Sequence, residues 1–421
     1  MSVTFSNFAT TVEGETAFTV LAIAKRLIGK GKNVIELEIG DSPFPTSPQG
    51  LNGGLRAINE GQTHYGPSIG LTDFRAAAAA YVNHRYGLQT SAENVVVGAG
   101  AKIYEQYFCE AFVNPGDGVL VFSPHFPTYP ANIHRRGGRV VISRLRQSLD
   151  FRPSLDDIAR FLDEDPSPKA IFLNSPHNPT GGIATLEDIE GIAALVRGKD
   201  IAVFSDEPYD AMVWRGKHHS LLAQPGMVDQ CVAAYTFSKS FSMSGWRLGY
   251  AISSPATIQL LGTLTNTSLS CVPPFTQMAG LAALTHDGGV RDERMEDFRH
   301  KVTLLVDGLN TITDVSCLMP GGTFYAFPSV KLICNRYSIT SHGLALFLLE
   351  AADDVSGVAC LGGECFGAAG EGFLRLSCAE PDERLEEAVT FISDAVTRGD
   401  RVAKYLSSHP EYRLTVPYDN D

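Results

Sequence analysis

The sequence predicts an α/β fold organised on a mainly parallel sheet. Three observations carry that expectation. Short apolar runs alternate with helix-patterned segments over residues 51–285, the pattern of strands joined by crossover helices. Three residues able to do chemistry, Asn178, Asp206 and Lys239, each follow such a run at its carboxyl end, where open α/β sheets form their ligand crevice. The chain has 421 residues, 44% of them hydrophobic, enough for a large core and two or three domains.

The bulk composition excludes several classes of partner. A formal net charge of −13 argues against nucleic acid or an anionic membrane surface. No apolar run approaches the ~18 residues a transmembrane helix needs. The start, Met1-Ser-Val-Thr-Phe-Ser, has neither a basic n-region nor a continuous apolar stretch, so no secretory signal is expected. Eight cysteines are scattered without a C-x-x-C pair or His/Cys ligand spacing. They read as reduced core thiols of a cytoplasmic protein, with no metal site.

Taken in order, residues 11–33 carry apolar side chains at helical spacing and end at Gly29 and Gly31. Val34-Ile-Glu-Leu-Glu-Ile is a short strand running into a Gly/Pro turn at Gly40. A loop containing Tyr65 and Gly70 precedes a helix expected over Asp73 to Tyr86, with Thr72 as N-cap and Gly87 as its stop. Asn94-Val-Val-Val-Gly98-Ala-Gly100-Ala-Lys102 reads as strand, glycine turn and helix start. Free N–H groups and the dipole make such a helix start a phosphate site. Asp117 to Ser123 is a strand followed by a loop carrying His125 and Phe126; Ser154 to Asp163 is helical. Lys169 to Asn174 is a strand that ends in a rigid turn around Asn178, with Asn178–Pro179 a candidate cis peptide. Thr185 and Asp188 form a capping box for the next helix. Asp200 to Asp206 is a buried strand with a carboxylate at its end. A buried carboxylate beside an aromatic nitrogen base keeps that nitrogen protonated.

The stretch Tyr235-Thr-Phe-Ser-Lys239-Ser-Phe-Ser-Met-Ser-Gly-Trp-Arg247 follows the next strand. Its lysine, set among the hydroxyls of Thr236 and Ser238, can form a Schiff base with an aldehyde. The arginine eight residues on offers a planar fork suited to a phosphate. An aldehyde and a phosphate on one molecule describe pyridoxal phosphate. Beyond this stretch a long helix is expected from Arg291 to about Leu309, then strands near Tyr325 and Arg375, and polar residues trailing over the surface after about 405.

These motifs, in this order, resemble class I aminotransferases, the aspartate-aminotransferase-like family of pyridoxal phosphate (PLP) enzymes. The carriers are Ser175-Pro-His-Asn178-Pro-Thr-Gly181, Asp206-Glu-Pro-Tyr209, the Lys239 stretch and Leu374-Arg375-Leu-Ser. The resemblance runs from Gly40 to Arg375 and implies PLP fold type I. That fold has a seven-stranded, mainly parallel sheet in a large domain, here 51–285. A smaller α+β domain comes from both termini, 1–50 and 286–405, followed by a C-terminal tail, 406–421.

The resemblance also implies the site. Lys239 holds the cofactor and moves the proton, Asp206 faces the ring nitrogen, and Asn178 and Tyr209 bind the phenolic oxygen. Gly100, Ala101, Lys102, Thr236, Ser238 and Arg247 serve the cofactor and its phosphate, and Phe126 stacks on the ring. Tyr65 reaches the partner subunit's phosphate, so a homodimer with shared sites is implied. Arg375, with Gly40 and Asn178, takes the substrate carboxylate. The reaction implied is ping-pong transfer of an amino group between an L-amino acid and a 2-oxo acid. A PLP-dependent lyase on the same fold is the alternative, and a non-catalytic PLP-binding regulator a third reading. Aspartate-specific relatives can place an arginine six residues before the Pro273–Pro274 pair; Thr267 stands there, with no lysine or arginine between 264 and 290. Side-chain selectivity is expected from wall residues such as Phe18, His125 and Thr267.

Overall fold

The computed structural model describes residues 3–12 and 14–419. Residues 1, 2, 13, 420 and 421, which touch the signal, small-domain and tail expectations, lie outside them. Among the described residues there are twelve strands: β1 Asn33–Glu36, β2 Val95–Gly98, β3 Gly118–Ser123, β4 Arg139–Arg144, β5 Pro168–Asn174, β6 Ala202–Asp206, β7 Cys231–Thr236, β8 Gly249–Ile252, β9 Tyr325–Ala326, β10 Ser356–Ala359, β11 Leu361–Gly362 and β12 Leu374–Ser377. Seven form one sheet in the order β2-β8-β7-β6-β5-β3-β4. All its pairings are parallel except those of β8 with β2 and β7.

Alternation along the strands builds two cores, one on each face of that sheet. Val95, Val97, Leu120, Phe122, Ile171 and Leu173 enter one apolar cluster. Val96, Val119, Val121, Ala170 and Phe172 enter the other. A third cluster joins apolar side chains of residues 20–37 to those of 295–406, and takes in Tyr209 and Met212. Around it lie the pair β1–β10 and the three-stranded β11-β12-β9.

The register of the large sheet aligns its chemistry. Asn174 pairs with Asp206, and Asp206 with Ala234, so β5, β6 and β7 end together. The loops carrying Asn178, Tyr209 and Lys239 therefore leave from one edge. Gly249 pairs with both Gly98 and Thr236, bringing the glycine turn beside the lysine loop. A Cβ on Gly249 would lie 2.6 Å from the Gly100 carbonyl carbon and from the Tyr235 oxygen, so only glycine permits that approach.

Several local expectations hold, and some need correction. The helix Leu155–Glu164 starts at a Ser154 cap, and Thr185 with Asp188 closes a capping box. Asn178–Pro179 is cis, as are Ser123–Pro124 and Ser175–Pro176. The helix before Gly87 spans Thr72–Tyr86, so Thr72 is its first turn and not its cap. The Leu71 N–H instead finds the Gln277 side-chain oxygen at 2.7 Å. The segment after 405 does not simply trail. Tyr405 and Leu406 are buried, Tyr418 exchanges two hydrogen bonds with Asn335, and its hydroxyl donates to Glu364. Aromatic anchors spaced through a polar segment were enough to dock it. No helix among the described residues is long and apolar enough to cross a membrane.

Candidate active site

A cavity of about 530 Å³ opens at the carboxyl ends of β5, β6 and β7, within the range of small-molecule sites. Twelve expected residues line it: Gly40, Ala101, Lys102, Phe126, Asn178, Asp206, Tyr209, Thr236, Ser238, Lys239, Arg247 and Arg375. A cleft of about 660 Å³ lies elsewhere and one of about 670 Å³ adjoins the cavity at Asp41, Ser244 and Arg247, but neither joins a lysine to a buried strand-end carboxylate and a buried arginine.

At one end stand the groups suited to a cofactor. The Lys239 Nζ donates to the Gly40 carbonyl at 2.5 Å. Asp206 closes β6 and is buried; its Oδ2 accepts from the Tyr129 hydroxyl at 2.6 Å. Burial pushes its carboxyl up to about 7, while the Tyr129 hydrogen bond and the nearby Lys239 pull it down. Such a carboxyl is stabilised as an anion by a cationic N–H partner. The helix Ile103–Phe112 begins at Lys102 with no side-chain cap, leaving N–H groups for an anion. Beside it the hydroxyls of Thr236 and Ser238 lie 3.0 Å apart. Arg247, in a left-handed conformation with φ 52°, donates to the carbonyls of Ala99 and Ser244. Gly100 lies just behind the wall: a Cβ there would sit 2.7 Å from Arg247 Nη2. A lysine, an anion cradle and a buried acid on one wall fit PLP.

At the other end stand the groups suited to a carboxylate substrate. Arg375 is buried, lies with its guanidinium carbon 4.4 Å from the Tyr325 ring centroid, and donates to Asn178 Oδ1 at 3.5 Å and to the Glu38 carbonyl. Its Nε has no partner, a donor that a carboxylate can satisfy. Gly40 is required here, because a Cβ would meet the Tyr325 hydroxyl at 1.8 Å. Phe18, from the helix Thr16–Ile28, also lines the cavity.

Tyr65 lies outside the cavity and is 90% exposed. His125 and Thr267 do not line it either. His125 is buried with Nδ1 against the Phe126 carbonyl, and Thr267 is an exposed helix residue bonded to the Leu264 carbonyl. Sequence reasoning missed Tyr129, Glu105, Glu15 and Tyr325. Glu105 accepts from Thr128 at 2.5 Å and Asn132 at 3.1 Å. Glu15 pairs with Lys102 at the mouth, and the Tyr325 hydroxyl lies 3.1 Å from that of Tyr209. Tyr129 was findable: it stands three residues after Phe126, on the same side of a helix start.

Comparison with known proteins decides the family. The family described as aminotransferase class I and II matches residues 32–392. The chain belongs to it. An aspartate aminotransferase from Thermotoga maritima is 33% identical over 379 residues, 89% of this chain and 94% of that protein. The solved aspartate aminotransferase of Thermus thermophilus with maleate superposes with a TM-score of 0.87 at 28% identity, covering 94% of this chain and 100% of that one. An alanine aminotransferase from Pyrococcus furiosus gives 0.84 at 29% identity, covering 94% and 100%. The aminotransferase is therefore of the PLP-dependent class I type and moves an amino group between an L-amino acid and a 2-oxo acid by a ping-pong cycle. The lyase alternative finds no support in these relatives.

Proposed function

We propose that this aminotransferase holds PLP in the 530 Å³ cavity, with Lys239, Asp206, Asn178, Tyr209, Phe126 and the phosphate cradle as its ligands. The reading rests on one observation: the lysine, the buried acid, the anion cradle and the buried arginine line one cavity. The cofactor, when bound, supplies an aldehyde carbon for the amino group and an electron-withdrawing ring. Lys239 carries the covalent attachment. Its amine, once released, takes the proton from the substrate Cα in one half-reaction and returns one there in the other. Asp206 keeps a cationic N–H in place, and Tyr129 holds that carboxylate ionised and oriented. Arg375 orients the amino acid through its carboxylate, with Gly40 leaving room beside Tyr325.

The cavity divides a large domain, 51–285, from a small one, 1–50 with 286–405, and a tail, 406–421. The three apolar clusters support that division, although Phe327 and Phe373 pack with the large domain's core. Tyr65, 90% exposed in its own chain, serves a partner's phosphate in a homodimer. Eight free cysteines favour the cytoplasm. The breadth of the relatives' names, aspartate and alanine among them, leaves the donor to be chosen by a screen of amino acids in the half-reaction.

Lys239→Ala tests the centre of this reading. Wild-type enzyme with PLP is expected to absorb near ~400–430 nm, and the variant to lose both that band and turnover by about 10³-fold or more. A variant keeping colour and turnover would remove Lys239 from the mechanism.

A further inference from the structure

Glu38 is a fully buried acid that the reaction above does not use. It is 0% exposed, and neither carboxyl oxygen has a partner beyond its own backbone amide. It lies two residues before Gly40, and its carbonyl accepts from Arg375 Nη2. Arg375 itself keeps an unpartnered Nε in the same interior. The charged and titratable groups facing Glu38 are few. Glu36 ends β1 two residues before it, Lys25 lies on the helix Thr16–Ile28, Arg375 on β12, and Cys360 between β10 and β11. Lys25 is committed to Glu36 at 2.7 Å, and burial keeps Cys360 a thiol. Arg375 is thus the uncommitted cation beside Glu38. Burial pushes the Glu38 carboxyl up to about 7; its own backbone amide, then Lys25 and, least, Arg375 pull the other way.

We propose that Glu38 is a positioning residue that sets the pH range over which Arg375 takes up a substrate carboxylate. A neutral Glu38 leaves the guanidinium's charge to the substrate. An ionised Glu38 puts a second anion beside the same guanidinium, in an interior that water and salt screen poorly. The substrate carboxylate then enters a pair already neutralised, and its affinity falls. Linkage runs both ways: carboxylate binding favours the protonated acid, so it draws in a fraction of a proton near neutral pH. The inference rests on Arg375 as the carboxylate site.

The test uses enzyme with PLP bound and propionate as an unreactive carboxylate, followed by inhibition and by proton uptake from pH 6 to 8.5. Wild-type affinity is expected to fall about tenfold across that range, the effect of one unit of coupling. In Glu38→Gln or Glu38→Thr it is expected to change less than about twofold, with smaller proton uptake and a KM change that exceeds the kcat change. Either neutral variant suffices. A flat wild-type profile, or equal slopes in wild type and variant, overturns the role of Glu38. Arg375→Ala separates the two readings: unchanged propionate inhibition there would remove the carboxylate site itself.

Discussion

The two ends of the cavity are built differently. The cofactor end is made by neighbouring strand ends of one sheet, where parallel register fixes Asn174 against Asp206 and Asp206 against Ala234. The substrate end is made by segments far apart in the chain: Glu38 and Gly40, Tyr325, and Arg375, with Glu15 and Phe18 at the mouth. The first is held by a hydrogen-bonded ladder. The second is held by stacking, buried charge and a glycine with no space for a Cβ. The cofactor end should therefore survive changes at the substrate end, and lesions at the two ends should read differently.

The largest separation is expected from Arg375→Ala. On the proposed reading, removing the buried carboxylate partner costs about 2–5 kcal/mol, so kcat/KM for amino acids should fall by about 30- to 5,000-fold. The ~400–430 nm band of the lysine-bound cofactor should persist. Steady-state kinetics with an absorbance spectrum checks both at once. Loss of the band as well would mean that the two ends are one structural unit.

Asp206→Asn sharpens the comparison from the opposite side. The amide keeps the shape at the end of β6 and loses the charge. We expect kcat to fall by about 10²-fold and PLP to bind less tightly, with little change in propionate inhibition. Tyr129→Phe is milder, about 1 kcal/mol and up to tenfold. The Tyr129 hydroxyl favours ionised Asp206, so its loss raises the Asp206 pKa. The acidic limb of the activity profile should then move to higher pH. A shift to lower pH would contradict the hydrogen bond's assigned direction.

The same contrast explains what the sequence disclosed. Lys239, Asp206, Asn178 and Arg247 were legible because each follows a strand at a fixed spacing, and their chemistry is specific to residue type. The mainly parallel sheet was legible for the related reason that buried parallel strands read as continuous apolar runs, whereas its count of seven strands came only from the resemblance. Arg375 was legible only through its motif; nothing local pairs it with Glu38, 337 residues away. Tyr129 and Glu105 were passed over because a tyrosine or glutamate near a helix start is usually packing or a solvated charge. Their partners, Asp206 and Asn132, are set by tertiary contact. His125 and Thr267 erred in the other direction: proximity in sequence to the cavity's loops did not place them on its wall.

Glu105 gives the smallest expected effect, on stability and not on chemistry. It is buried, faces Asp206, and burial pushes its carboxyl up to about 8. The unfolded chain releases this proton near its ordinary value of 4.5, whereas the folded protein keeps it to about 8. Between those values the folded form binds more protons, so this group's contribution is complete below 4.5 and is lost as pH rises through about 8. Glu105→Gln cannot ionise and retains an oxygen for Thr128 or Asn132. In cofactor-free enzyme its melting temperature, relative to wild type, should therefore climb by a few degrees between pH 5 and 9. Thermal unfolding of the pair across that range checks the sign. A flat difference would mean that Glu105 is already ionised in the folded protein at pH 5, so that both states have lost the proton over the whole range.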